Sequence, residues 1–139
     1  MPQTPIDVAK EQILAYNEKN WDRVKQVVAP NVVYDEVGTR RTVTGVNALV
    51  DTWKEWATAM PDSKASFDSV TVSGDTVVLE VTWRGHHTGP LHTPTREIAA
   101  TGKPIELRAV QVVAVANGKT KSIRQYFDMA TILQQIGAV

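Results

Sequence analysis

The sequence predicts an α+β fold in which helices cover one face of a strongly curved, mostly antiparallel sheet. Three observations carry this. Before Pro61 the apolar residues recur at helical spacing, after it they alternate with polar residues at period 2, and a short helical run from Met129 closes the chain. A curved sheet wrapped around helices encloses a cone-shaped apolar cavity, and a concave cavity is where a small-molecule site belongs.

The elements follow in order. Ile6, Ala9, Ile13 and Leu14, then Trp21, Val24, Val27 and Val28, fall at helical spacing, with a break over Asn17 to Asn20. This predicts a long helix or a helix pair ending before Pro30. Val32 to Glu36 is a short strand closed by Gly38, and Arg40-Arg41 reads as a solvated turn. Gly45 opens a second helix, whose stripe runs Val46, Leu49, Val50, Trp53, Trp56, Ala57 and Met60. Pro61-Asp62 ends it with turn chemistry.

Phe67, Val70 and Val72 then lead into the turn Ser73-Gly74-Asp75. Val77, Leu79, Val81 and Trp83 alternate with Val78, Glu80, Thr82 and Arg84. His87 to Leu91 is a loop, and Thr88 to Thr95 is the segment expected to move most. Thr101-Gly102-Lys103-Pro104 turns from a short strand into a long one, Ile105 to Ala116. Asn117-Gly118 is a hairpin signal, Lys121 to Phe127 returns as the last strand, and Gly137 stops the closing helix.

Composition removes whole classes of function. The chain has 139 residues, so a single domain, 1–139, is expected. It has no cysteine, which excludes disulfides, thiolate metal sites and a cysteine nucleophile. Fifteen basic side chains balance fifteen acidic ones, leaving no electrostatic footprint for nucleic acid or an anionic membrane. No stretch approaches the roughly 18 apolar residues of a membrane span. The N-terminus lacks a signal-peptide core, so a cytoplasmic protein is the expectation. Zero net charge also favours a second copy of the chain as partner.

Few residues are suited to proton chemistry. Asp128 shares its strand face with Tyr126, Arg124 and Ser122. Two readings fit it: an N-cap for the run that follows, or a carboxylate at the end of an apolar funnel, its pKa raised by desolvation. Asp35 reads either as a turn residue beside Gly38 or as a base that takes a proton α to a carbonyl. His87 shares parity with Trp83, Val81 and Leu79 and points inward, as a substrate-orienting imidazole or a histidine bonded to a loop carbonyl. His86, His87 and His92 lack the spacing of a three-histidine metal site, so no metal is expected. Trp53, Trp56, Trp83 and Tyr16 are either pocket walls for a flat ligand or plain core. Tyr34 joins them as a candidate lining residue, and Gln111, with the parity of Leu107, is a candidate pocket donor. Phosphate-loop, GxSxG and HExxH motifs are missing.

Several segments, taken in order, resemble the SnoaL-like polyketide cyclases of the nuclear transport factor 2-like, ketosteroid isomerase-like superfamily. They are Asn31-Val32-Val33-Tyr34-Asp35, Met60-Pro61-Asp62, Ser73-Gly74-Asp75, Gly85-His86-His87-Thr88-Gly89, Thr101-Gly102-Lys103, Gly118-Lys119, Tyr126-Phe127-Asp128 and Leu133-Gln134-Gln135-Ile136-Gly137. The resemblance implies a cone-shaped α+β barrel, a homodimer joined through the sheet, and cofactor-free chemistry on a bulky apolar carbonyl substrate. It makes Asp128 the acid/base group of an intramolecular aldol closure, with His87 at the family's histidine position. Asp35 matches the general base of the isomerase branch. Ser122, Arg124 and Ala114 depart from the family's usual residues, so the substrate does not carry over. The alternatives are an isomerase, an epoxide hydrolase using Asp128, and a non-catalytic binding module.

Overall fold

A computed structural model of the chain describes residues 3–138. The N-terminal apolar run forms a helix pair, α1 (Pro5–Asn17) and α2 (Trp21–Val27). Thr4 and Asp7 make a capping box on α1, and Pro5 sits in its first turn, where a missing N–H costs nothing. Lys19 in the left-handed region (φ 53°) breaks the run, and the Asn20 side chain caps α2 by accepting from the Arg23 N–H.

Strand β1 (Val28–Glu36) begins earlier than expected and runs through Pro30. Its register slips between Val28 and Val33, the stretch that holds Pro30 with no N–H to donate. The Arg40-Arg41 turn is corrected. Arg40 alone turns (φ 60°), whereas Arg41 opens β2 (Arg41–Thr44), paired with β1. Helix α3 (Val46–Ala59) follows, then β3 (Lys64–Ser73) and β4 (Thr76–His86). The His87–Leu91 loop runs into a two-stranded ribbon, β5 (Leu91–His92) with β6 (Glu97–Ile98).

Strands β7 (Pro104–Ala116) and β8 (Lys119–Tyr126) are joined by Asn117-Gly118, both at positive φ (54° and 73°), the geometry of a type I′ hairpin. Helix α4 (Met129–Gln135) ends in a Schellman motif. The Gly137 N–H donates to the Gln134 carbonyl and the Ala138 N–H to that of Leu133.

The six strands of the main sheet are ordered β2-β1-β8-β7-β4-β3. The expected meander holds for β3-β4-β7-β8, but β1 lies parallel to β8, and the curved sheet stays open, with β2 and β3 as its edges. Helices α1 and α3 pack on the inner face. There Val32, Tyr34, Val77, Leu79, Val81, Ala109, Val113 and Ile123 join Ile13, Leu49 and Trp53 in one core. A second cluster under α4 unites Met60, Leu91, Ile105, Leu107 and Ile132. Among the described residues no helix is long and apolar enough to cross a membrane.

Candidate functional site

Between the two clusters the inner face leaves a partly open pocket, about 650 Å³ of empty volume with its mouth included. Helix α1 contributes Gln12, Ile13 and Tyr16; α3 contributes Trp53 and Trp56. The sheet supplies Tyr34, Trp83, Gln111 and Gln125, and Phe127 and Ile132 close the far end. The aromatics meet edge to face: Tyr16 and Trp83 at 5.2 Å between ring centroids, Tyr34 and Trp53 at 5.6 Å. Trp53 and Tyr16 are therefore both core and wall.

Polar groups on this wall form one chain. Gln12 Nε2 donates to the Ala9 carbonyl (2.9 Å) and to Gln111 Oε1 (2.6 Å). Gln111 Nε2 and Trp83 Nε1 both donate to Gln125 Oε1, each at 3.1 Å. Gln125 Nε2 donates to the Tyr34 hydroxyl (2.9 Å), which donates to Glu36 Oε2 (2.7 Å). Glu36 is fully buried and also accepts from Trp56 Nε1 (2.9 Å), Thr39 Oγ1 (2.7 Å) and Arg41 (3.1 Å). A buried carboxylate needs that many donors and a counter-charge. Arg41 also reaches Glu55 (3.1 Å). Burial, then the neighbouring Glu36 charge, hold the Tyr34 phenol well above its usual pKa. Burial pushes Tyr16 up to about 12, although its bond to Ser63 (2.7 Å) pulls the other way. Both phenols keep their protons at neutral pH.

Tyr16, Tyr34, Trp53, Trp56, Trp83 and Gln111 thus line one pocket. Arg124 and Tyr126 do not: they are exposed on the outer face, because β8 sends Ile123 and Gln125 inward. The same alternation corrects the expected orientation of Asp128, which lies exposed, one residue beyond Phe127 on the pocket wall. Its carboxylate caps α4, accepting from the Ala130 N–H and Thr131 Oγ1, both at 3.1 Å. Asp35 likewise faces away from the pocket and accepts from Thr42 Oγ1 (3.3 Å).

His87 is fully buried, as its inward parity predicts, but it lies outside the pocket lining. The Thr101 N–H and, through its hydroxyl, Thr101 Oγ1 (3.0 Å) face its Nδ1, which makes Nδ1 the acceptor and leaves the proton on Nε2. Nε2 has no partner among the described residues. Burial lowers the His87 pKa, so the ring is neutral. Its backbone takes N–H bonds from Thr101 and Gly102 and donates to Lys103, tying the two loops together. The outward His86 bonds Asp62 instead (2.6 Å).

Glu36 and Gln125 belong to the site without any motif that marks them. The signal for Glu36 is the alternation Val32, Tyr34, Glu36, which sends a carboxylate the same way as two core residues. Among the described residues no group of three His, Cys, Asp or Glu side chains is arranged to hold a metal.

Solved structures share this fold across almost the whole chain. IdmH of Streptomyces antibioticus, a candidate polyketide cyclase, is 21% identical with a TM-score of 0.82, covering 97% of this chain and 99% of its own. A candidate SnoaL-like polyketide cyclase from Jannaschia sp. CCS1 is 19% identical with a TM-score of 0.81, covering 100% and 99%. TsrD of Streptomyces laurentii is 20% identical with a TM-score of 0.80, covering 95% and 93%. Among curated proteins none matches. Residues 7–136 match the family description SnoaL-like polyketide cyclase, and the chain belongs to that family.

Proposed function

We propose that the chain acts without a cofactor on an apolar carbonyl compound held in this pocket, by acid/base chemistry of the kind that closes rings in polyketide cyclases. The observation that carries this is the pocket itself: aromatic walls around a chain of amides anchored on a buried carboxylate. In an aldol closure a base takes a proton from a carbon α to a carbonyl. That carbon bonds to a second carbonyl carbon, and the proton returns to the resulting alkoxide. The family resemblance makes Asp128 the base in this reading, although its carboxylate faces outward, one residue beyond Phe127 of the pocket wall. Its cap uses one hydrogen bond on each carboxylate oxygen, so lone pairs remain. The isomerase form would use Asp35, which faces away from the pocket as Asp128 does. The working unit is a homodimer joined through the outer sheet face, where half-buried Val78, Val110 and Val112 lie beside exposed Tyr126.

Exchange of the C1 protons of 2-tetralone in D2O, followed by NMR, tests the reaction class. Exchange about a hundredfold above buffer, lost in Asp128→Asn, is expected. Binding without any acceleration overturns the enzyme. One observation favours that second reading, a non-catalytic binding module: the ionisable side chains lining the pocket are Tyr16 and Tyr34, both held protonated.

A further inference from the structure

Amide groups are ambiguous end for end, yet this chain of them is not. The Ala9 carbonyl demands Nε2 of Gln12, which therefore meets Gln111 through the Gln111 oxygen. At the next link the Trp83 indole, a donor only, demands the oxygen of Gln125. At the end the Glu36 carboxylate accepts a hydrogen bond from the Tyr34 O–H, so the Tyr34 oxygen accepts from Gln125 Nε2. Three independent fixed points agree on one polarity.

That polarity leaves an uneven inventory. Both N–H groups of Gln12 are used, and both lone pairs of Gln125 Oε1 are filled. Gln12 Oε1 has no partner but is buried and presents no surface to an occupant. Gln111 Nε2 and Gln125 Nε2 each spend one N–H and keep one. The two residues are cross-strand partners on β7 and β8, and both line the pocket.

We infer that Gln111 and Gln125 form a paired donor site that holds the occupant by a carbonyl oxygen (ketone, ester or quinone). A carbonyl oxygen has two lone pairs and receives an N–H from each amide. This rests on the pocket being the binding site, as proposed above, and names what that site recognises. Glu36 and Arg41 act one step back, as positioning residues that hold the polarity of the chain.

The test compares 1-tetralone with tetralin, which has the same rings and lacks the oxygen, on the wild-type protein by calorimetric titration. About tenfold tighter binding of the ketone is expected from two neutral hydrogen bonds. The infrared carbonyl stretch of bound 1-tetralone is expected to fall to lower frequency than in an apolar solvent. Gln111→Met and Gln125→Met should each shrink both effects. Equal binding of the two compounds, an unshifted carbonyl, or a preference that survives both substitutions overturns the donor site and leaves the pocket reading intact. Failure of both compounds to bind overturns the two together. The wild-type comparison stands even where a variant does not fold.

Discussion

The two faces of β1 and β8 divide the polar residues of this chain by role. On the inner face Tyr34, Glu36 and Gln125 are bonded to one another behind an aromatic pocket. On the outer face Asp35, Arg124 and Tyr126, with Asp128 just beyond β8, meet solvent or cap a helix. One residue separates each inner group from an outer one, since a strand reverses direction at every step. The difference follows from the cost of burial. An inward polar group must be neutral or fully paired, so the inner face holds amides, phenols and one saturated carboxylate. The groups that chemistry would choose by type stand outside, where no such condition applies.

Breaking the inner set should cost most. Glu36→Ala strands the Tyr34, Trp56, Thr39 and Arg41 donors together. The expected loss is about 3–5 kcal/mol by urea unfolding. A loss below about 1 kcal/mol, the range of exposed pairs, would erase the distinction between the faces. Next comes the loop that carries His87. The Gly89 N–H, with that of Thr88, donates to the Ala59 carbonyl, and a Cβ on Gly89 would lie 1.9 Å from the Thr58 carbonyl oxygen. Gly89→Ala therefore has to move backbone, at about 2–3 kcal/mol. An unchanged midpoint would show that this loop is not pressed against α3.

Much of this architecture is legible in the sequence, because it rests on periodicity. The α3 stripe, the Val77 to Trp83 alternation, the Asn117-Gly118 hairpin and the inward set of Gln111 all follow from spacing. Strand β2 is not legible: four residues with alternating half-burial carry little pattern, and pairing with β1 makes it a strand. Glu36 and Gln125 are hidden for another reason. Their significance lies in contacts with residues as distant as Gln111 and Trp56, and a side chain's partners are not written in its own segment. Asp128 draws attention by its type, while the parity that turns it outward depends on where β8 begins to alternate.

His87 sharpens the contrast through pH. Its folded pKa is lowered by burial, so between its ordinary value near 6.5 and that lower value the unfolded chain binds a proton that the folded chain does not. Stability from this group is complete above about pH 6.5 and declines as pH falls, with a slope of at most about 1.4 kcal/mol per pH unit. Urea midpoints from pH 7.5 to 5 should show the decline in the wild type, and His87→Gln should flatten it. The same slope in both proteins would mean that other groups carry it.

The smallest effect separates the two roles of Asp128. As a cap its contribution is about 1 kcal/mol, so Asp128→Ala should lower stability by that much. Asn caps a helix about as well as Asp, so Asp128→Asn should stay within about 0.5 kcal/mol of wild type. The carboxamide keeps an oxygen for the Ala130 N–H and offers an N–H to Thr131 Oγ1 in place of the second oxygen, but it cannot take up a proton near neutral pH. The Asn variant therefore removes proton transfer while keeping the cap, which the Ala variant does not. Exchange that survives in a stable Asp128→Asn protein assigns this outer carboxylate to the helix alone. The search for the proton carrier would then turn to the inner face, where Glu36 is the one buried carboxylate among the described residues.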